Sequence, residues 1–231
     1  MRHLAFPTGS LKGEKALKTA FGCTLFVACA AVLCMAGLSL VQSHRQYQRR
    51  TEIEAQNLCA ALADSLTATF DKIDQALLTV KDEAEHELAQ GAIDGQRLER
   101  LIDLQRRRIH GSSSLRVTDP AGFIAYGGDP ARRICVADRN YFQVLRADPR
   151  AGLVSTKALQ GRLDPGTVII LARRMDRPDG TFGGLVFSGV FLEELSDHFA
   201  TYSIGQEGIL SLRDRDNAVL VRRGGTRDMT G

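Results

Sequence analysis

The sequence predicts an α+β chain: one membrane-spanning helix, a long amphipathic helix, then an antiparallel sheet with flanking helices. Three observations predict it. Residues 20–41 form an apolar run with no charged side chain. Residues 44–90 contain no proline or glycine and repeat apolar residues at steps of three and four, the helical period. From Leu115 onward the pattern changes to short strands separated by turn residues, interrupted by two short helices.

The apolar run comes first. At about 1.5 Å per residue it spans roughly 33 Å as a helix, enough to cross the hydrocarbon core of a bilayer. A cleavable signal peptide has a shorter core, of about 7–15 residues, and a small-x-small cleavage site. Gln42, Ser43, His44 and Arg45 follow the run here and do not fit. A lipoprotein site would use Cys34, but Val32 and Leu33 precede it. The run therefore reads as an uncleaved anchor, with residues 1–19 as an N-terminal tail. Arg2, Lys12, Lys15 and Lys18 precede it and Arg45, Arg49 and Arg50 follow, so basic residues favour a cytoplasmic N-terminus only weakly.

The long helix carries Ile53, Leu58, Leu62, Leu66, Phe70, Ile73, Leu77, Val80, Ala84 and Leu88 on one stripe. Glu52, Glu54, Asp64, Asp71, Lys72, Asp74, Lys81 and Asp82 fill the other faces, and Gly91 ends the run. Such a helix extends about 65–70 Å. Its stripe suits packing on a domain and also pairing with a second copy, so a homodimer is expected. A shorter helix is predicted over residues 96–108, broken by Gly111-Ser112-Ser113-Ser114.

Leu115-Arg116-Val117-Thr118 and Phe123-Ile124-Ala125-Tyr126 flank the turn Asp119-Pro120-Ala121-Gly122, which makes a hairpin. A helix over residues 138–146 follows, with Asp138 as a candidate N-cap. Residues 167–174 and 182–190 read as strands around an Asp-Arg-Pro-Asp-Gly turn, with Gly183-Gly184 marking a bulge or close approach. Residues 191–201 read as a helix packed, like the others, on one side of the sheet. Leu210-Ser211-Leu212-Arg213, Asp214-Arg215-Asp216-Asn217 and Ala218-Val219-Leu220-Val221 then echo the first hairpin at an offset of about 95 residues. Hairpins are common and coincidence produces the same echo. A true repeat divides the chain into residues 42–203 and the start of a second, similar module at 204–231.

Composition narrows the function classes. The 231 residues leave room for one or two domains, and 44% are hydrophobic. A formal net charge of +3 with dispersed Lys and Arg argues against nucleic acid. Cys23, Cys29 and Cys34 lie in the apolar run. Cys59 and Cys135 remain, far apart, and the sequence leaves open whether they pair. There is no G-x-S-x-G, H-E-x-x-H or P-loop, and His44, His86, His110 and His198 lack metal-ligand spacing. No catalytic machinery, metal site or cofactor is expected.

A family resemblance rests on several stretches taken in order. They are Val136-Ala137-Asp138-Arg139-Asn140-Tyr141-Phe142, Asp148-Pro149-Arg150-Ala151-Gly152-Leu153, the strand from Thr167 to Arg174, Asp179-Gly180, and Phe182-Gly183-Gly184-Leu185-Val186. Residues 45–225 resemble the first module of double Cache (PDC, PAS-like) sensor regions. The version most similar is found on bacterial diguanylate cyclases and related sensor kinases. The resemblance implies a periplasmic ligand-sensing region anchored in the inner membrane, with the N-terminus inside and a cytoplasmic output domain.

It also implies a site. In amino-acid-binding relatives an Arg and nearby aromatics grip the ligand carboxylate, and the matching positions are Arg139, Tyr141 and Phe142. A guanidinium offers a carboxylate a planar fork of donors. Those relatives carry an Asp at the end of the last strand to hold the ligand amine, where this sequence has Phe191. Lys157 and Arg173 or Arg174 are expected to add positive charge, and strand alternation lets only one of the two arginines face inward. The expected ligand is a small organic anion, a dicarboxylate fitting better than a monocarboxylate.

Overall fold

The computed structural model describes residues 11–109, 114–163, 165–202, 204 and 208–224, with side chains from Val32 on apart from 41, 44, 45, 47 and 48. The chain divides into two units, Met1–Ala61 and Leu62–Gly231.

In the first unit the described backbone belongs to helix α1, Leu11–Ala89. Val32, Leu33, Met35, Leu38, Leu40 and Ile53 present exposed apolar side chains there. Most of the expected membrane span falls outside the described side chains. Among the described residues no helix is long and apolar enough to cross a membrane.

In the second unit α1 buries Leu62, Leu66, Ile73, Leu77, Val80 and Ala84, members of the stripe read from the sequence. Helix α2, Gly95–Arg108, is N-capped by Asp94, whose carboxylate accepts the N–H groups of Gln96 and Arg97. The strands are β1 (Ser114–Thr118), β2 (Ile124–Tyr126), β3 (Val154–Ser155), β4 (Leu159–Gln160), β5 (Thr167–Asp176) and β6 (Phe182–Phe191). They form one antiparallel sheet in the order β2-β1-β6-β5-β3, with β4 also on β5. Strands β3 and β4 have two residues each, too few to show alternation in a sequence. The expected bulge is present: Met175 pairs with Gly184 and Asp176 with Phe182, leaving Gly183 as the extra residue. Gly184 has φ +127 and its Cα faces the Thr118 carbonyl so closely that a Cβ would lie 2.1 Å from that oxygen. Only glycine fits there.

Helices cover both faces of the sheet, a departure from the one-sided packing expected. Tyr141, Phe142 and Leu145 of α3, Asn140–Ala147, pack with Val168, Ile170 and Ala172 of β5 and with Leu185 and Phe187 of β6. The alternate residue Arg173 points the other way, to Asp74 of α1. Alternation shows which residues share a face but not which helix covers it. Asp138 is not the N-cap of α3. Arg139 holds that position, and its guanidinium, having no acceptor, makes no cap bond, while the Asp138 carboxylate is engaged by Arg162. Cys59 and Cys135 are both free.

Helix α4, Leu192–Ala200, leads to a separate two-stranded sheet of β7 (Leu210–Arg213) and β8 (Val219–Arg223). Its turn reproduces that of the first hairpin. Asp119 Oδ1 accepts the N–H groups of Ala121 and Phe123, both at 2.9 Å, and Gly122 N–H donates to Asp119 O at 3.0 Å. Asp214 Oδ1 accepts those of Asp216 and Ala218, both at 2.9 Å, and Asn217 N–H donates to Asp214 O at 3.0 Å. Gly122 and Asn217, at equivalent positions, have positive φ of 88 and 67. The echo in the sequence is thus an echo in backbone geometry.

Candidate anion-binding cleft

A cleft opens on the α3 face of the sheet. Register builds its floor in rows: Ser114 of β1 lies opposite Gly189 of β6, which lies opposite Ile170 of β5. In the next row Arg116 lies opposite Phe187. Gly189 hollows the floor, since a Cβ there would come 3.1 Å from Ser114 Oγ and 3.5 Å from Ile170 Cδ1. The segment entering α3 supplies the roof with Val136, Arg139 and Tyr141. Gly161, Arg162 and Leu163, between β4 and β5, form the mouth. The inner cavity is about 20 Å³, space for about one water, and with its open mouth the cleft holds about 380 Å³.

The cleft is cationic and apolar at once. Arg139 Nη2 donates to Gln160 O at 3.2 Å. Arg162 is fixed by a two-pronged pair with Asp138, Nη1 to Oδ1 and Nη2 to Oδ2 both at 2.7 Å, and by Nη1 donating to Cys135 O at 2.7 Å. The hydrogen bonds from Arg162 hold the Asp138 carboxyl down at about 2. Arg116 is 9% exposed, a charge largely withdrawn from water within the floor. Tyr141 is 4% exposed. Burial pushes its hydroxyl up to about 12, with the Asp138 charge adding to the rise and the charges of Arg139, Arg162 and Arg116 pulling it down. Three guanidinium groups therefore share one cleft with a buried phenol. Such a set binds and orients an anion through charge-assisted hydrogen bonds. Among the described residues no cluster of His, Cys, Asp and Glu is arranged to hold a metal ion.

Of the side chains singled out in the sequence, Arg139 and Tyr141 meet in this cleft. Phe142 does not, because neighbouring helical residues point in different directions. It is 1% exposed in the core and sits edge-on to Phe182 at 5.3 Å. Lys157 lies between β3 and β4 and pairs with Asp216 in the β7–β8 turn, whose hydrogen bond and charge raise its pKa. Arg173 is on the opposite face, with Nε 2.5 Å from Asp74 Oδ1 and Nη2 2.8 Å from Oδ2. Arg174 is the one facing α3, where Nη1 donates to Leu145 O at 3.0 Å and Arg146 O at 2.8 Å. Sequence reasoning missed Arg116, Arg162 and Ser114. Arg116 carries a legible signal, a charge between Leu115 and Val117 in mid-strand. Arg162 sits in a short loop with nothing to mark it.

No protein-family model matches the chain, and no curated protein matches it. Solved structures do. The extracellular domain of rpHK1S-Z16, assigned as a histidine kinase, is 26% identical at a TM-score of 0.62, covering 75% of this chain and 72% of that one. The sensor domain of the V. cholerae histidine kinase DctB is 15% identical at a TM-score of 0.57, covering 77% and 68%. The ligand-binding domain of the Campylobacter jejuni chemoreceptor Tlp3, solved with 4-methylisoleucine, is 12% identical at a TM-score of 0.50, covering 70% and 67%. The fold of this chain is thus the one seen in the extracellular sensor domains of bacterial histidine kinases and chemoreceptors, the Cache-like fold.

Proposed function

We propose that the chain is the input region of a bacterial transmembrane receptor. It binds a small organic anion, preferably a dicarboxylate, in the cleft formed by Arg116, Arg139, Arg162 and Tyr141. The observation that carries this reading is that Arg116, Arg139 and Arg162 line one cleft together with the buried Tyr141. A monocarboxylate would satisfy one such fork, whereas a second acid group engages another. The amino acid bound by Tlp3 suggests the rival ligand class. None of the described residues lining the cleft is acidic, Phe191 lines it at the strand end, and the Asp138 carboxylate beside it is already held by Arg162.

The anchor belongs to the same proposal: residues 20–41 span the inner membrane, the N-terminal tail is cytoplasmic and the sensor domain periplasmic. The α1 stripe supports a homodimer, and residues 204–231 begin a second, similar module. The output is diguanylate cyclase by the sequence resemblance, or a histidine kinase or chemoreceptor by the fold's relatives. Ligand binding changes output only if it favours one helix arrangement over another.

The test is differential scanning fluorimetry and calorimetry on the purified chain against acetate, malonate, succinate and a set of amino acids. A dicarboxylate at about a hundred times its Kd adds about 2.7 kcal/mol, a rise of several degrees in melting temperature. Arg139→Gln should weaken that ligand at least about ten-fold. Absence of any shift across the acids would leave a membrane-anchored scaffolding module as the better reading.

A further inference from the structure

The cleft already contains a carboxylate partner for one of its arginines, and that partner is the chain's own. We propose that Asp138 is an internal competitor for the ligand: it occupies the Arg162 fork at the mouth, and a ligand enters by bringing a carboxylate that takes its place. The inference rests on the carboxylate-binding reading of the cleft and names the residue that sets its selectivity.

Geometry supports it. The two 2.7 Å contacts from Arg162 Nη1 and Nη2 to the two Asp138 oxygens are the parallel fork arrangement that a ligand carboxylate would adopt on the same group. The bond to Cys135 O keeps the guanidinium in position when Asp138 leaves. The inner cavity of about 20 Å³ accepts about one water, so an organic acid needs the mouth to rearrange. Arg162 is at that mouth, on the opposite strand connection from Asp138. The pair is also cheap to exchange. Its side chains are 38% and 62% exposed, and ion pairs so open to water contribute little net stability.

Selectivity follows from the competition. A group tethered in the same chain acts at an effective concentration in roughly the millimolar range. A bare monocarboxylate offers Arg162 nothing that Asp138 lacks and is held off. A ligand whose second acid group or tail also reaches Arg139, Arg116 or Tyr141 gains contacts that Asp138 cannot supply. Asp138 thus filters for anions with two points of attachment.

The experiment compares the full chain, Asp138→Asn and Arg162→Gln by titration calorimetry with succinate and with acetate. Asp138→Asn keeps the shape and removes the charge. It should bind succinate at least about ten-fold more tightly and should bind acetate measurably, while Arg162→Gln loses at least about ten-fold for succinate. Succinate binding that is equal or weaker in Asp138→Asn, with the wild type binding, overturns the competitor role and leaves the anion site standing. Failure of every variant to bind either acid sinks the site and the competitor together. A readout on the wild type covers a misfolded variant: ¹³C NMR of the Asp138 carboxyl during succinate titration. With the pH held at about 7, where succinate is a dianion, the Asp138 resonance should shift as Arg162 is taken from it; a carboxyl resonance unmoved at saturating succinate overturns the proposal.

Discussion

Tyr141 is the residue on which the cleft's opposing forces meet. Burial favours its neutral form, raising the hydroxyl from 10.0 to about 12, against the pull of the three arginines. A raised pKa on an acid that folds neutral gives stability that is complete below pH 10 and is lost as the pH rises through about 12. The full effect is roughly 2 to 3 kcal/mol. Tyr141→Phe should therefore flatten the alkaline limb of stability against pH, measured by urea unfolding between pH 9 and about 12; an unchanged limb would show that another group titrates there. At this scale the site was half legible. Arg139 and Tyr141 stand in one short motif and were found. Arg116 and Arg162 come from β1 and the β4–β5 connection, and only the pairing of distant strands brings them to the same place. Neither Arg173 nor Arg174, between which the sequence left the choice open, lines the cleft: the first pairs with Asp74 on the other face and the second holds the carbonyls of Leu145 and Arg146.

Among the elements, α3 is the one that presents the site, and its far end is tied down across the sheet. Arg174, 6% exposed, donates to the carbonyls of Leu145 and Arg146 and, at 2.6 Å, to Asp176 Oδ1. The N–H of Asp176 in turn donates to Glu85 Oε1 of α1 at 2.7 Å. A continuous path of hydrogen bonds thus joins the helix beside the cleft to the long helix on the other face. Arg174→Met keeps bulk but leaves those carbonyls without their donor. It should cost about 2 to 4 kcal/mol in chemical denaturation and loosen α3; a cost under about 0.5 kcal/mol would mean that water replaces the guanidinium there. The elements themselves were largely legible. The α1 stripe, β5, β6 and the Gly183-Gly184 bulge follow from period and turn chemistry. Strands β3 and β4 escaped, and so did the placement of α3, because two-residue strands and helix-to-face assignment are decided by packing rather than by local pattern.

For the whole molecule, the proposed anchor and orientation predict that alkaline phosphatase fused near Thr201 is active in cells, while a cytosolic reporter fused at the same point is silent; the reverse pattern would overturn the receptor reading. The α+β architecture was legible because a long helical period and a strand-rich remainder are each signals of many residues. The repeated hairpin was legible as a turn pattern, and the structure shows it as a ribbon of two strands bonded to each other and held by α4 and by the pair of Lys157 with Asp216. Val221 is 1% exposed and Arg223 Nη1 donates to Ser196 O of α4 at 3.2 Å. Two strands are too few to hold themselves together in water, so the ribbon depends on α4. On heating, its amides would meet solvent before those of β5 and β6.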